Sequence, residues 1–159
     1  MSEINKAAKA EETYKALCTA IDSRGWNCEK IDFLKVVFFV VHGDDIPMDI
    51  MIRIDEANQR VTLISKMPFK MSEDKRLEGS IATCCANFGL VDGHFDYNIS
   101  DGEITFRMTS SYMECSFAED RFSYMMDVSS NIIDEYNDKF LALNKGMLSI
   151  EDFITHESK

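Results

Sequence analysis

The sequence predicts an α+β two-layer sandwich in the order α-β-β-β-α-β-β-α, an antiparallel sheet with its helices gathered on one face. Three observations predict it. Stretches of period-two apolar alternation lie one short turn apart, as antiparallel neighbours do, and longer stretches with apolar residues every three or four positions flank and interrupt them. Only two prolines and seven glycines among 159 residues leave little material for a linker, so residues 1–159 read as one domain.

Glu3 to Asp22 is the first helix, because Ile4, Ala7, Tyr14, Leu17, Cys18 and Ile21 fall on one stripe. Gly25, in Ser23-Arg24-Gly25, ends it. The residues Asn27 to Ile31 are compatible with a small extra strand. Lys35 to His42 is a continuous β-branched and aromatic run of ordinary strand length. A strand apolar on both sides is covered on both sides: either it lies centrally in the fold, or its second face meets another chain. Beyond Gly43-Asp44-Asp45, Met48, Ile50, Ile52 and Ile54 alternate with Asp49, Met51 and Arg53, a half-buried strand. After the turn at Asp55 to Gln59, Val61, Leu63 and Met67 repeat the pattern up to Pro68.

Ser72 with Glu73 and Asp74 reads as a helix start, and Leu77, Ile81, Cys84, Cys85 and Phe88 as that helix's buried stripe, closed by Gly89. Asp101-Gly102 between alternating runs predicts a two-residue type I′ hairpin, which would set Ile99 opposite Ile104, Tyr97 opposite Phe106, Phe95 opposite Met108 and Asp96 opposite Arg107. The last pair is worth about 0.2–1 kcal/mol. Ala118 to Asn144 carries Phe122, Met125, Met126, Ile132, Ile133, Tyr136, Phe140 and Leu143 at helical spacing. Gly146 stops it, and Ser149 to Asp152 opens a short helix docked by Phe153 and Ile154.

Seventeen Lys and Arg against 28 Asp and Glu give a net charge of -11. A field of that sign repels phosphate backbones and anionic lipid surfaces, so neither nucleic acid nor a membrane is an expected partner. The opening Met1-Ser2-Glu3-Ile4-Asn5-Lys6 is not an export signal, and Cys18, Cys28, Cys84, Cys85 and Cys115 suit reduced thiols; both point to the cytoplasm.

Chemistry-bearing motifs are sparse. His42, His94 and His156 read as surface or edge residues, and His42 with Asp44 and Asp45 as a solvated turn rather than a metal site. Cys84 and Cys85 cannot bridge each other, since neighbouring Cα atoms are about 3.8 Å apart and disulfides need at least about 4.4 Å. They read as small hydrophobes. No catalytic group, cofactor or metal is expected. Met51 and Ile64 interrupt the polar faces of their strands, so one face of the preceding strand would lie beside them in an apolar strip. Val36, Val37, Phe38, Phe39, Val40, Met51 and Ile64 are the candidate protein-binding or dimer face. The alternative is an enzyme or small-ligand protein with a pocket between helices and sheet.

Five stretches in this order carry a family resemblance: Asp49-Ile50-Met51-Ile52-Arg53-Ile54-Asp55-Glu56; Met67-Pro68-Phe69; Glu73-Asp74-Lys75-Arg76 opening a helix that ends Ala86-Asn87-Phe88-Gly89; the hairpin Asp101-Gly102-Glu103-Ile104-Thr105-Phe106-Arg107; and Ile133-Asp134-Glu135-Tyr136 in the last long helix. Together they resemble the bacterial YbjN-like family of sensory transduction regulators and, more distantly, the secretion-chaperone fold of type III systems. The tail from Gly146 to Lys159 is less typical. The resemblance implies a non-enzymatic cytoplasmic homodimer that binds a polypeptide partner, chaperone-like or regulatory, and it transfers no site residue.

Overall fold

A computed structural model describes residues 3–43, 46–113, 115 and 117–157, with side chains described between residues 5 and 155. Asp44, Asp45 and the side chains of Ile4 and His156 lie outside the described residues. The elements are α1 (Glu3–Ser23), β1 (Cys28–Ile31), β2 (Val36–His42), β3 (Pro47–Asp55), β4 (Arg60–Lys70), α2 (Arg76–Gly89), β5 (His94–Asn98), β6 (Glu103–Ser111), α3 (Glu119–Asn144) and α4 (Ile150–Glu157). The strands form one antiparallel sheet in the order β1-β2-β3-β4-β6-β5. The α+β arrangement is the expected one, with the small strand β1 added at one edge and α4 at the end.

Alternation decides which sheet face is dry. Val37 and Phe39 of β2, Met48, Ile50, Ile52 and Ile54 of β3, Val61 and Leu63 of β4, and Ile104, Phe106 and Met108 of β6 form one core with residues of all four helices. In α3 the expected stripe is buried, apart from half-buried Ile132, and Ser129 and Asn137 are buried with it. Phe153 seats α4 against Phe140, with ring centroids 5.6 Å apart. The Asp152 amide donates to Ser149 Oγ at 3.0 Å, the expected cap. Ile154 stays partly exposed.

Two expectations are corrected. The β5-β6 loop is not a two-residue turn: Asn98 stands opposite Glu103, Tyr97 opposite Ile104 and Phe95 opposite Phe106. The chain turns earlier, at Asn98, whose Oδ1 accepts the Ser100 amide at 3.1 Å and whose carbonyl accepts the Gly102 amide at 2.8 Å. Gly102, at φ +78°, passes so close to Met71 that a Cβ would strike its carbonyl. The slip is two residues, so the side chains that remain in the strands keep their predicted faces, while Ile99 falls in the turn, 54% exposed. Asp96 and Arg107 still meet, diagonally, at 2.6 Å.

The second correction is α2. Its buried side is Gly79, Ala82, Thr83 and Ala86. Leu77, Ile81, Cys84 and Phe88 face outward, with Phe88 93% exposed, and Cys85 is half-buried. Small residues turn inward because the helix lies close to its neighbours: a Cβ on Gly79 would run into Met71 and the Tyr97 ring, and the Tyr97 hydroxyl donates to the Arg76 carbonyl at 2.8 Å. A Leu or Phe side chain cannot fit at that separation.

Tyr112 closes the far end of β6. It is fully buried, and its hydroxyl donates to the Asp55 carbonyl at 3.0 Å. Burial, with Asp55 and Glu56 nearby, pushes the phenol up to about 12 from an ordinary 10.0. Burial also pushes Tyr14 upward, reinforced by its hydrogen bond to Asp32. A raised folded-state value means that the stability contributed by the neutral phenol is whole below pH 10 and is lost as pH rises toward 12. The tyrosinate absorbance of Tyr112, taken as the difference between wild type and Tyr112→Phe, is therefore expected to rise in step with loss of far-UV circular dichroism. Gradual titration of that difference signal on a folded chain would contradict the buried placement.

Candidate functional site

The strand registers align one cross-strand row on the outer face of the sheet: Glu29, Phe38, Met51, Ile64, Arg107 and His94. Its middle is apolar. Phe38 is 38% and Val40 44% exposed, while Met51 and Ile64 are half-buried. These four line an open hollow of about 720 Å³, with Asp49 and Lys66 on its rim. Phe38 and Met51 also line a second hollow of about 520 Å³ toward Phe33 and Leu34, which are 84% and 53% exposed. The apolar surface thus runs from β4 to the turn before β2.

Of the residues singled out in the sequence, Phe38, Val40, Met51 and Ile64 come together here. Val36 shares their side of the sheet but is buried. Val37 and Phe39 point the other way into the core, and the Phe39 ring stacks on Trp26 at 5.3 Å. Alternation alone allows either parity for β2. The pairing of Phe39 with Ile50 and of Phe38 with Met51 decides it. Phe33 and Leu34 carry no sequence signal because a three-residue 3-10 turn, Asp32–Leu34, has no periodicity to detect.

Charges around the strip largely neutralise one another. Lys66 Nζ lies 2.8 Å from Glu103, Arg53 3.4 Å from Asp55, and Arg107 2.6 Å from Asp96, which also stands 3.2 Å from His94 Nε2. The bond from Lys66 holds the Glu103 carboxyl below its ordinary range. The two sheet edges differ. The Asn87 side chain mimics a strand partner for β5, donating to the Phe95 carbonyl at 2.9 Å and accepting its amide at 2.7 Å. The other edge, β1, is four residues long and half-exposed.

Among the described residues, the histidines do not converge. His42 ends β2 and His94 begins β5, with three strands between them. No cluster of three or more His, Cys, Asp or Glu among the described residues is arranged to hold a metal. A hollow of about 350 Å³ near α3 and β6 contains Arg121, which stacks on Phe117 at 4.7 Å, and Tyr124, which donates to Asp92 at 2.5 Å. Asp120 Oδ1 there accepts the Arg121 amide at 2.8 Å. No helix among the described residues is long and apolar enough to cross a membrane.

Fold and surface define a small α+β protein with one sheet face under helices and the other open. No protein family and no curated protein matches the sequence. The fold is similar to that of YbjN from E. coli, a candidate transcription regulator, with a TM-score of 0.57, 12% identity, and coverage of 79% of this chain and 92% of that one. The HopA1-SchA chaperone-effector complex also aligns, at a TM-score of 0.49, 12% identity, and coverage of 81% and 94%. The YbjN-like fold expected from the sequence is the fold observed.

Proposed function

We propose that this chain is a non-enzymatic protein-binding module, chaperone-like or regulatory, that acts in the cytoplasm as a homodimer and holds an extended polypeptide against the outer face of its sheet. The observation that carries the reading is the reachable row Phe38, Met51 and Ile64, widened by Val40, on a face where Arg53, Lys66 and Arg107 each stand against a carboxylate. An extended segment matches the strip in shape, since alternate side chains can enter the two hollows while backbone groups pair along β1. A chain of net charge -11 favours a partner with Lys or Arg beside its apolar residues and disfavours nucleic acid and anionic membranes.

Peptides alternating Val or Leu with Lys, and matched peptides with Glu, test this by fluorescence polarisation. The Lys series is expected to bind, and Phe38→Asp to weaken it at least tenfold at unchanged circular dichroism. Indifference to Phe38→Asp, or no binding by any peptide, would overturn the reading.

A further inference from the structure

Charge on the outer sheet face is unevenly matched. Around the apolar strip, Arg53, Lys66 and Arg107 stand 3.4, 2.8 and 2.6 Å from Asp55, Glu103 and Asp96. Glu29 and Asp49 differ. Both are exposed, both line the hollow of about 720 Å³, and among the described residues neither carboxylate has a cation or a hydrogen-bond donor. Lys66, the cation on the same rim, is the one held by Glu103. An unmatched carboxylate in open water attracts little, but beside an apolar wall its field is focused on whatever enters the hollow.

The strand registers fix where the two acids stand. Glu29 is opposite Phe38 and Asp49 opposite Val40, so β2 passes between them and the line joining them is a diagonal of the sheet. With strands about 4.8 Å apart and a rise of about 3.4 Å per residue, their Cα atoms lie about 12 Å apart. The midpoint of that line falls between Phe38 and Val40, the exposed apolar residues of β2. Four residues of an extended chain span about 13 Å, and residues i, i+2 and i+4 share one side. A segment laid along the diagonal therefore sets residue i over Glu29, residue i+2 between Phe38 and Val40, and residue i+4 over Asp49.

We infer that the polypeptide held on this face, under the binding reading proposed above, on which this inference rests, carries a basic-x-apolar-x-basic pattern whose two Lys or Arg side chains meet Glu29 and Asp49. The aliphatic stems of those residues lie along Phe38 and Val40 while their charged heads reach the carboxylates. Apolar contact holds many sequences; the two acids choose among them. Because Phe38 and Val40 stand between them, the acids suit two cationic groups joined by an apolar span rather than one small ion.

Fluorescence polarisation on the full chain tests this with peptides of one composition in two orders, Lys-Ser-Val-Ser-Lys and Ser-Lys-Val-Lys-Ser, within identical flanks. The first order, with its lysines on the same side as Val, is expected to bind at least fivefold more tightly. Glu29→Lys and Asp49→Lys should each weaken it by about threefold or more. The double variant should lose at least tenfold and gain at least tenfold for Glu-Ser-Val-Ser-Glu, at unchanged circular dichroism, a gain that damage to the fold cannot produce. Equal binding of the two orders, or a double variant that still prefers the Lys peptide, would overturn the inference and leave the polypeptide reading standing. Failure of every peptide to bind wild type would sink both. Spermidine binding as tightly as the Lys peptide would assign the acids to a free polyamine and likewise overturn the inference.

Discussion

Phe39→Asp is expected to abolish cooperative unfolding, whereas Phe38→Asp, one residue away, should leave the melting temperature within a few degrees of wild type. Phe39 is 3% exposed and stacked on Trp26, and it packs with the core between sheet and helices. A carboxylate there sits among apolar core side chains, with Arg24 on Trp26 already bonded to Asp127, and burying an unpaired charge costs several kcal/mol, against a total stability of about 5–15 kcal/mol for a domain. Phe38 sits on the opposite face of the same strand and is 38% exposed, so a carboxylate there remains in water. Thermal denaturation followed by circular dichroism checks the pair, and the opposite order, with Phe38→Asp unfolded and Phe39→Asp near wild type, would mean that the faces of β2 are reversed.

Phe95→Ala is the second large effect, expected to cost about 3–5 kcal/mol. Phe95 is the only core-facing residue of β5 that is fully enclosed, at 2% exposure; Tyr97 is half-buried. Its ring meets those of Phe106, Tyr136 and Phe140, each at 5.3 Å and edge-on. It therefore joins the edge hairpin to α3, and the backbone of the same residue is the one that Asn87 holds from α2. At roughly 2–4 °C per kcal/mol for a chain of this size, the melting temperature should fall by about 10 °C. A drop of under about 3 °C would show that the aromatic cluster does not join these elements.

Most of the fold is legible in the sequence because strands and helices announce themselves through period. Met48, Ile50, Ile52 and Ile54 can face only one way together, as can Phe122, Met126, Ile133 and Phe140. The hairpin shows what a local signal can and cannot carry. Asp101-Gly102 does lie in the turn, but the bonds that Asn98 makes move the strand partners by two. Parity survives, because a slip of two preserves sides.

The candidate site is legible in part. Met51 and Ile64 stand out because each breaks a polar alternation, and they do share a surface with Phe38 and Val40. Val37 and Phe39 cannot be separated from Phe38 and Val40 by sequence, since every residue from Val36 to Val41 is apolar and an unbroken run has no phase.

By itself the sequence determined the element order, the antiparallel sheet and the acidic character, all properties of residues near one another in the chain. The tertiary structure alone decided which side of β2 is dry and which side of α2 is out. Both depend on how closely another element approaches. On α2 that distance inverted the hydrophobic rule, because the side that lies inside is made of the small residues Gly79, Ala82, Thr83 and Ala86, and the large apolar residues were left facing outward.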